Sequence, residues 1–351
     1  MLIAIIVIIG LSLLILGHEA GHFFVAKLFG LKVDEFGFGF PPRITAKKIG
    51  DTEYSLNWLP FGGFVKISGE RGEFAMIEGG ASNDGATPAE QKRLLYAQPA
   101  WKKSLIMLAG VFMNFLIGWF LISLMLMIGA PQALVIGGVQ KGSPAEQVGL
   151  MQGDVIKDFK TAQSFIDFVN NHRGQTIDVV VLRSNKEIDF KVVPRTQITP
   201  NEGAVGVMLS EAGTPQEPFF SAIGDGLKYA AILLWATVQA FYDLIKQLFV
   251  HAELLPGVVG PVGIFGVAQE TGKVGLVYLL QLLGIISLNL TVVNLIPFPA
   301  LDGGRFLMVI IEKIKGSALS PKTETWINGL GFAFLIILMV LLTVRDIGNL
   351  L

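Results

Sequence analysis

Long uncharged runs separated by polar segments set the pattern of this chain. The first run, MLIAIIVIIGLSLLILG, opens a segment over 1–24 that would form a helix about 36 Å long. The hydrocarbon core of a bilayer is roughly 30 Å thick, so this helix can cross it. Similar runs predict spans over 104–130, 274–304 and 326–345. The pattern therefore predicts a multi-spanning α-helical membrane protein with about four transmembrane helices.

Residues 25–103 follow a different pattern. The runs EFGFGFPPRI and EYSLNWLPFGGFVKIS mix aromatic and β-branched residues with Gly and Pro, which is typical of short strands and tight turns. Non-helical backbone at membrane depth must be buried in protein or line a wet cavity. We therefore expect a re-entrant β-hairpin beside the first helix, with a hairpin on the membrane surface as the alternative. The polar, Gly-rich residues 71–98 predict a surface loop.

Residues 131–210 contain strand-like runs such as TIDVVVLR and one short helical run, SFIDFVNNH. Three pieces of this segment resemble the signature of PDZ domains: GSPAE from 142, GL at 149–150 and GDVI from 153. We expect an inserted PDZ-like α+β domain. Such a domain either binds extended peptides by strand addition or filters substrates by size.

Two further segments are predicted to be connections. Residues 211–273 hold an uncharged core of about 14 residues, which is shorter than the roughly 20 that a span needs. We expect an amphipathic helix at the membrane interface there, with a true span as the alternative. A loop follows it, beginning with the motif GVVGP at 257–261. Residues 305–325 are predicted to connect the last two spans.

The candidate chemistry lies at the end of the first run, in the pentapeptide HEAGH. Residues four apart share a helix face, so His18 and His22 can present both imidazoles to one metal ion. Glu19 is placed to act on a water molecule as general base, as in zinc proteases. The chain has only four histidines, and ionisable groups inside a span are usually functional. The alternative is an incidental pair of histidines.

A third metal ligand must come from later in the chain, and the absence of cysteine leaves His, Asp or Glu. In NLIPFPALDGG, which begins at Asn294, two prolines must break the helix at membrane depth. Asp302 follows the break, either as a helix cap or as the third ligand. Asn114, a polar residue within the second span, either bonds an adjacent helix or lines the active cavity.

Composition and charge narrow the class and orient the chain. A hydrophobic content of 52% is too high for an ordinary soluble protein, and a net charge of −1 gives no reason to expect a nucleic-acid partner. Eleven Lys and Arg lie between the first two spans, and four more lie around the connection over 305–325. The positive-inside rule makes both segments cytoplasmic. The PDZ-like domain and both termini are then outside the cytoplasm, and the active site is nearer the cytoplasmic face.

Together, HEAGH, the Gly-rich hairpin, the PDZ-like insert, GVVGP and NLIPFPALDGG resemble the site-2 protease family of intramembrane zinc metalloproteases. The closer likeness is to the bacterial branch that cleaves membrane-bound anti-sigma factors. The resemblance implies Zn²⁺ bound by His18, His22 and Asp302, with Glu19 as general base. It also implies that Asn294 hydrogen-bonds the substrate or the developing oxyanion.

The function expected from this resemblance is regulated intramembrane proteolysis in the inner (plasma) membrane. The partners would be membrane lipid and single-span transmembrane proteins, some of them cut beforehand by another protease. Two other classes compete with it. A catalytically silent PDZ-bearing scaffold would not need Glu19. A membrane-anchored metalloprotease acting on soluble or misfolded proteins would place its zinc helix outside the bilayer, unlike the uncharged run before His18.

Overall fold

The computed structural model describes residues 2–70, 87–183, 186–197, 203–251, 260–317 and 319–350. These residues form two compact units, of which one joins Met1–Met125 with Phe220–Leu351 and the other is Leu126–Phe219. The helices and strands of the described residues are, in chain order, α1 (Leu2–Leu28), β1 (Val33–Ile49), β2 (Thr52–Ile67), α2 (Pro88–Gln91), α3 (Ala100–Ile128), β3 (Ala130–Val139), α4 (Pro144–Val148), β4 (Val155–Ile156), α5 (Ala162–Asn171), β5 (Ile177–Arg183), β6 (Lys186–Val192), β7 (Val207–Thr214), α6 (Phe219–His251), α7 (Pro261–Val274), α8 (Leu276–Leu295), α9 (Asp302–Lys315) and α10 (Pro321–Leu350).

Within the described residues, five helices are long and apolar enough to cross a membrane: α1, α3, α6, α8 and α10. Four of them coincide with the predicted spans, and the chain is a multi-pass membrane protein. The fifth is α6, whose 33 residues extend about 50 Å at 1.5 Å per residue. That is far longer than the uncharged core suggested from the sequence. The number of spans and the interfacial placement of α6 stay predictions.

Small residues let α1, α3 and α8 approach one another closely. The contacting pairs are Gly17 with Ile117, Gly21 with Ala109, Gly118 with Leu288 and Gly284 with Ile122. Residue numbers fall along α3 as they rise along α1 and along α8, so α3 is antiparallel to both. Helices α1 and α8 therefore run in the same direction. This arrangement brings the end of α1, which carries His18 and His22, and the end of α8, which precedes Asp302, to the same end of the bundle.

Hydrogen bonds fix the starts of α6 and α7 on other helices of the first unit. Trp119, in the second half of α3, donates its indole N–H to the Ile223 carbonyl at 3.0 Å. At the start of α7, the Gly260 N–H donates to the Asp346 carboxylate at 3.1 Å, and Asp346 lies near the end of α10. The first half of α10 packs instead on the loop after α8.

The connections differ from the prediction. The prediction of a loop beginning with GVVGP is wrong, because residues 261–274 form α7. Pro261 lies in the first turn of this helix, where proline is favoured. Much of the connection over 305–325 is helical, since α9 continues until Gly316 ends it with a left-handed φ of 74°. Residues 71–86 of the predicted surface loop and 257–259 of GVVGP lie outside the described residues.

The predicted β-hairpin is confirmed. Strands β1 and β2 pair antiparallel and both bend, so that Phe36 of β1 faces Val65 in one arm of β2 and Tyr54 in the other. The arm with Val65 runs beside α1, where the Ser12 hydroxyl donates to the Pro60 carbonyl. Ser12 lies in the middle of the uncharged run. This arm therefore packs beside the membrane-spanning part of α1, which supports a re-entrant hairpin over a peripheral one.

The second unit is an α+β domain. Its five strands form one sheet in the order β6-β5-β4-β3-β7. Asp154 is buried, accepts the Met151 N–H at 2.8 Å and pairs with Arg183, whose guanidinium lowers the pKa of Asp154. The core takes side chains from the sheet and both helices: Leu134, Ile136, Ala145, Phe165, Val169 and Val181. The architecture agrees with an inserted α+β domain, and its assignment as PDZ-like stays a prediction.

The four-span topology predicts the membrane side of exposed residues. Because the chain has no native cysteine, single cysteines can replace the exposed Lys92, Lys160 and Lys322 and be labelled with a membrane-impermeant thiol reagent. We expect Lys160→Cys to be labelled on intact cells, and Lys92→Cys and Lys322→Cys only after lysis. Labelling of all three from the same side would contradict the topology.

Candidate metal centre

Three ligand atoms from two distant parts of the chain converge inside the first unit. His18 Nε2 lies 3.0 Å and His22 Nε2 lies 3.3 Å from Asp302 Oδ2, and the two Nε2 atoms are 3.2 Å apart. The three side chains are only 10–11% exposed. The structure thus brings together the three residues that the sequence indicated as metal ligands.

The dimensions of this triangle fit a zinc ion. Ligand atoms about 2.0–2.1 Å from zinc and at tetrahedral angles lie about 3.3 Å from one another. The distances of 3.0–3.3 Å found here are close to that value. Asp302 Oδ2 is buried and, among the described residues, has no hydrogen-bond partner. A cation at the centre of the triangle would satisfy this oxygen and both imidazoles together.

Each imidazole is held through its other nitrogen. His22 Nδ1 lies 2.7 Å from the Ile106 carbonyl, which can only accept a hydrogen bond, so Nδ1 carries the proton and Nε2 keeps its lone pair. His18 Nδ1 lies 3.1 Å from the side-chain amide of the buried Asn114. The Ser287 hydroxyl of α8 donates to the backbone carbonyl of Asn114 at 2.8 Å. Such contacts fix the ring orientation of metal-binding histidines and raise metal affinity.

Gly110 of α3 is required by the position of both imidazoles. A Cβ at this residue would lie 2.3 Å from His22 Nε2 and 2.7 Å from His18 Cε1. At the neighbouring residue of α1, a Cβ at Gly21 would lie 2.4 Å from the Ala109 carbonyl oxygen. The two glycines therefore let α1 and α3 approach until the rings reach their partners on α3.

The predicted helix break positions Asp302. Helix α8 ends at Leu295, and α9 begins at Asp302. A Cβ at Gly303 would lie 2.3 Å from the Ile296 carbonyl oxygen, and one at Gly304 would lie 2.0 Å from that of Phe298. The first turn of α9 thus packs backbone against backbone on the broken segment. Asp302 is thereby turned back toward α1.

Glu19 lies next to the triangle without being part of it. Its Oε2 accepts the backbone N–H of Val65 at 3.2 Å, and the side chain is half-buried. The donor belongs to the arm of β2 that packs on α1. The hairpin therefore holds the carboxylate of Glu19, the residue next to His18, and its role as general base stays a proposal.

Two asparagines show where reasoning from the sequence was incomplete. Asn294 is half-buried at the end of α8, and its catalytic role stays a proposal. Asn114 was predicted to bond a helix or to line the active cavity, and its amide contacts His18 directly. Gly110 was not singled out. Its available signal was a small residue four positions before Asn114 in a span, a spacing common at helix interfaces.

The apolar helices and the two-histidine, one-carboxylate triangle define a membrane-embedded zinc metalloprotease. Comparison with known proteins agrees. The model of peptidase family M50 matches residues 6–338. The regulator of sigma-W protease RasP of Bacillus subtilis is 27% identical, over 99% of this chain and 98% of its own.

A protein of Clostridium perfringens whose name describes a zinc metalloprotease is 32% identical over 345 residues, 97% of each chain. The zinc metalloprotease RasP of Geobacillus kaustophilus is 28% identical, over 99% of this chain and 97% of its own. The chain belongs to peptidase family M50, the site-2 proteases. The predicted activity of an intramembrane zinc metalloprotease and the predicted zinc cofactor are thereby confirmed.

The ligand set predicts which substitutions remove the metal. We expect the purified protein to hold one zinc per chain, and His18→Ala, His22→Ala and Asp302→Ala to lose most of it, as measured by elemental analysis. Asn114→Ala should weaken zinc binding by about 10- to 100-fold, because it removes the support of His18. Glu19→Gln is the matched control: it should keep its zinc but lose cleavage, because a general base contributes about 10²–10⁴-fold to the rate. Full zinc occupancy in Asp302→Ala would refute the assignment of that ligand.

Proposed function

We propose that this chain hydrolyses peptide bonds within or near the transmembrane segments of membrane proteins, using zinc held by His18, His22 and Asp302. The observation that carries the proposal is the meeting of these three ligand atoms among apolar helices. A hydrolytic site at that depth reaches peptide bonds that a soluble protease cannot.

The residues around the triangle divide the chemical work. Zinc bound there would supply Lewis-acid chemistry, which polarises a peptide carbonyl and makes water a nucleophile at neutral pH. Glu19 takes the proton of the attacking water and delivers it to the leaving amine. Because the Val65 N–H holds Oε2, the proton goes to Oε1. Asn294, at the end of α8, is assigned to the substrate or the developing oxyanion, as the resemblance to the site-2 proteases implies.

A helical substrate must lose part of its structure before it is cut. Its carbonyl groups are hydrogen-bonded along the helix and shielded from attack. Gly and Pro lower the stability of a helix by about 1 and about 3 kcal/mol relative to Ala, so they make unwinding easier. Transmembrane segments that contain these residues are therefore the favoured substrates of this chain.

The substrate class follows from a relative. The Bacillus subtilis protein that this chain resembles is named regulator of sigma-W protease RasP, which ties that protein to the control of sigma-W. We propose that the substrates of the present chain are single-span membrane proteins that control sigma factors, such as anti-sigma factors that another protease has already shortened. The competing class, a silent scaffold, has no use for a Glu19 carboxylate oriented by the hairpin.

The orientation proposed is the one derived from the basic residues. The hairpin and α9, which belong to the two segments expected in the cytoplasm, meet near Asp302 through the contact of Glu70 with Arg305. The active site is then nearer the cytoplasmic face. The α+β unit, assigned as a PDZ-like domain, lies on the other side. Its strand β7 is at an edge of the sheet and α5 packs beside it, which supports binding of an extended peptide by strand addition.

The hydrogen bond from Val65 to Glu19 predicts a backbone effect on the rate. Proline lacks the N–H, so Val65→Pro should lower kcat strongly, by at least about tenfold, while zinc content stays normal. Val65→Thr is the matched control, because it keeps the N–H and the β-branched shape, and its kcat should be nearly normal. Cleavage of a model transmembrane substrate gives kcat and KM for each variant.

The alternative role for this N–H is binding of an extended substrate, which the sequence first suggested for this strand. Loss of that contact would raise KM more than it lowers kcat. A zinc-loaded, folded Val65→Pro protein that cleaves at the normal rate would contradict both roles.

A further inference from the structure

An ion pair connects the two chain segments that meet at the metal centre. Arg305 Nη1 pairs with Glu70 Oε1, across 235 residues of sequence, and the two side chains are 23% and 22% exposed. Arg305 lies in the first turn of α9, three residues after Asp302, so the two share one helix face. Glu70 follows β2, the strand whose Val65 N–H holds Glu19.

The position of Arg305 is unfavourable without a partner. The N-terminal turn of a helix carries a partial positive charge, which stabilises an anion such as Asp302 and destabilises a cation. Glu70 compensates the cation. Its carboxylate is presented by hydrogen-bonded backbone, because the Glu70 N–H bonds the Ile67 carbonyl at 3.0 Å and the preceding Ser68 is bonded to Leu95 and Lys32. The acid is therefore a fixed anchor for the start of α9.

A second ion pair on the same helix offers a comparison. Lys103 at the start of α3 lies 3.5 Å from Glu312, in the last turns of α9. The side chains of this pair are also mostly buried, at 16% and 19% exposed. It lies nearly three turns from Asp302, whereas the Arg305 pair lies less than one turn away. The two pairs thus tie opposite ends of α9 with similar chemistry but at different distances from the ligand.

We propose that Arg305 and Glu70 are positioning residues for the reaction, whose ion pair locks α9 to the end of β2. The pair holds Asp302 in the ligand triangle while β2 holds Glu19 beside it. Neither residue touches the metal or the substrate, and both act through Asp302 and Glu19. The inference rests on the ligand set proposed above. Breaking the pair lowers zinc affinity and kcat together and leaves KM for the substrate unchanged.

The test reverses the charges singly and together in the full-length purified protein. Zinc affinity is measured by competition with a chelator, and thermal unfolding of each variant reports its fold. Arg305→Glu and Glu70→Arg should each lower zinc affinity by about 10- to 100-fold, the usual effect of losing an outer partner of a ligand. The double reversal should recover to within about threefold of the original protein, because the two effects are coupled through one contact. Lys103→Glu, the matched control, should change zinc affinity less than either.

Asp302→Ala serves as the reference variant. If it loses zinc while the single reversals bind zinc normally, or if the double reversal does not recover, the positioning role is overturned. If Asp302→Ala itself keeps its zinc, the ligand set fails instead. Where a reversal prevents folding, Arg305→Lys and Arg305→Gln make the same comparison. Lysine should keep the affinity and glutamine should lose it, and equal affinities would overturn the proposal.

Discussion

The close approach of α1 and α3 is the contact on which the metal centre depends. Lipid offers no hydrogen-bonding groups, so each imidazole must find its partner inside the protein. The absence of side chains at Gly21 and Gly110 brings the two helices near enough for the Ile106 carbonyl and the Asn114 amide to supply them. The metal centre therefore depends on helix packing, since the same glycines that allow the two helices to come close also leave room for the imidazole rings.

The same constraint explains the two irregular segments at membrane depth. The bends of β1 and β2 let the first part of β1, residues 35–38, pair with both arms of β2, which satisfies backbone groups that lipid could not. The outer edge of the hairpin gives one N–H to Glu19. After α8, the broken backbone is covered by the first turn of α9 and by Asn328, whose amide oxygen accepts the Ala300 N–H at 3.3 Å. Each of these two irregular segments thus positions one residue of the site, Glu19 for the hairpin and Asp302 for the break after α8.

How far the site could be predicted depended on sequence distance. His18 and His22 are found from helical spacing alone. Asp302 is found because two histidine ligands need a third ligand and a carboxylate follows the broken span. The hairpin followed from its Gly, Pro and aromatic content. Asn114 could not be assigned, because a lone polar residue in a span does not reveal which neighbour it faces. The pairing of Arg305 with Glu70 could not be predicted, because no sequence pattern relates two residues that are 235 positions apart.

The short helices show a different limit. Long apolar runs predict only helices that span the membrane. Helices α7 and α9 have 14 residues each, so they are too short to span, and both are partly polar. Both have the expected terminal signals, Pro261 at the start of α7 and Gly316 after α9. GVVGP was predicted to begin a loop and residues 305–325 to form a connection, and neither prediction used these signals. Local capping residues carried the information, and the pattern of apolar runs did not.

The separation of the ligands along the chain has a consequence for biosynthesis. The two histidines leave the ribosome early, but Asp302 is made 284 residues after His18. At about 5–20 residues per second, the delay is on the order of tens of seconds. Until α9 emerges, a nascent or truncated chain carries only two of the three ligands and has no complete hydrolytic centre. The order of synthesis thus works as a safeguard, since a half-inserted protease in the membrane cannot cut its neighbours.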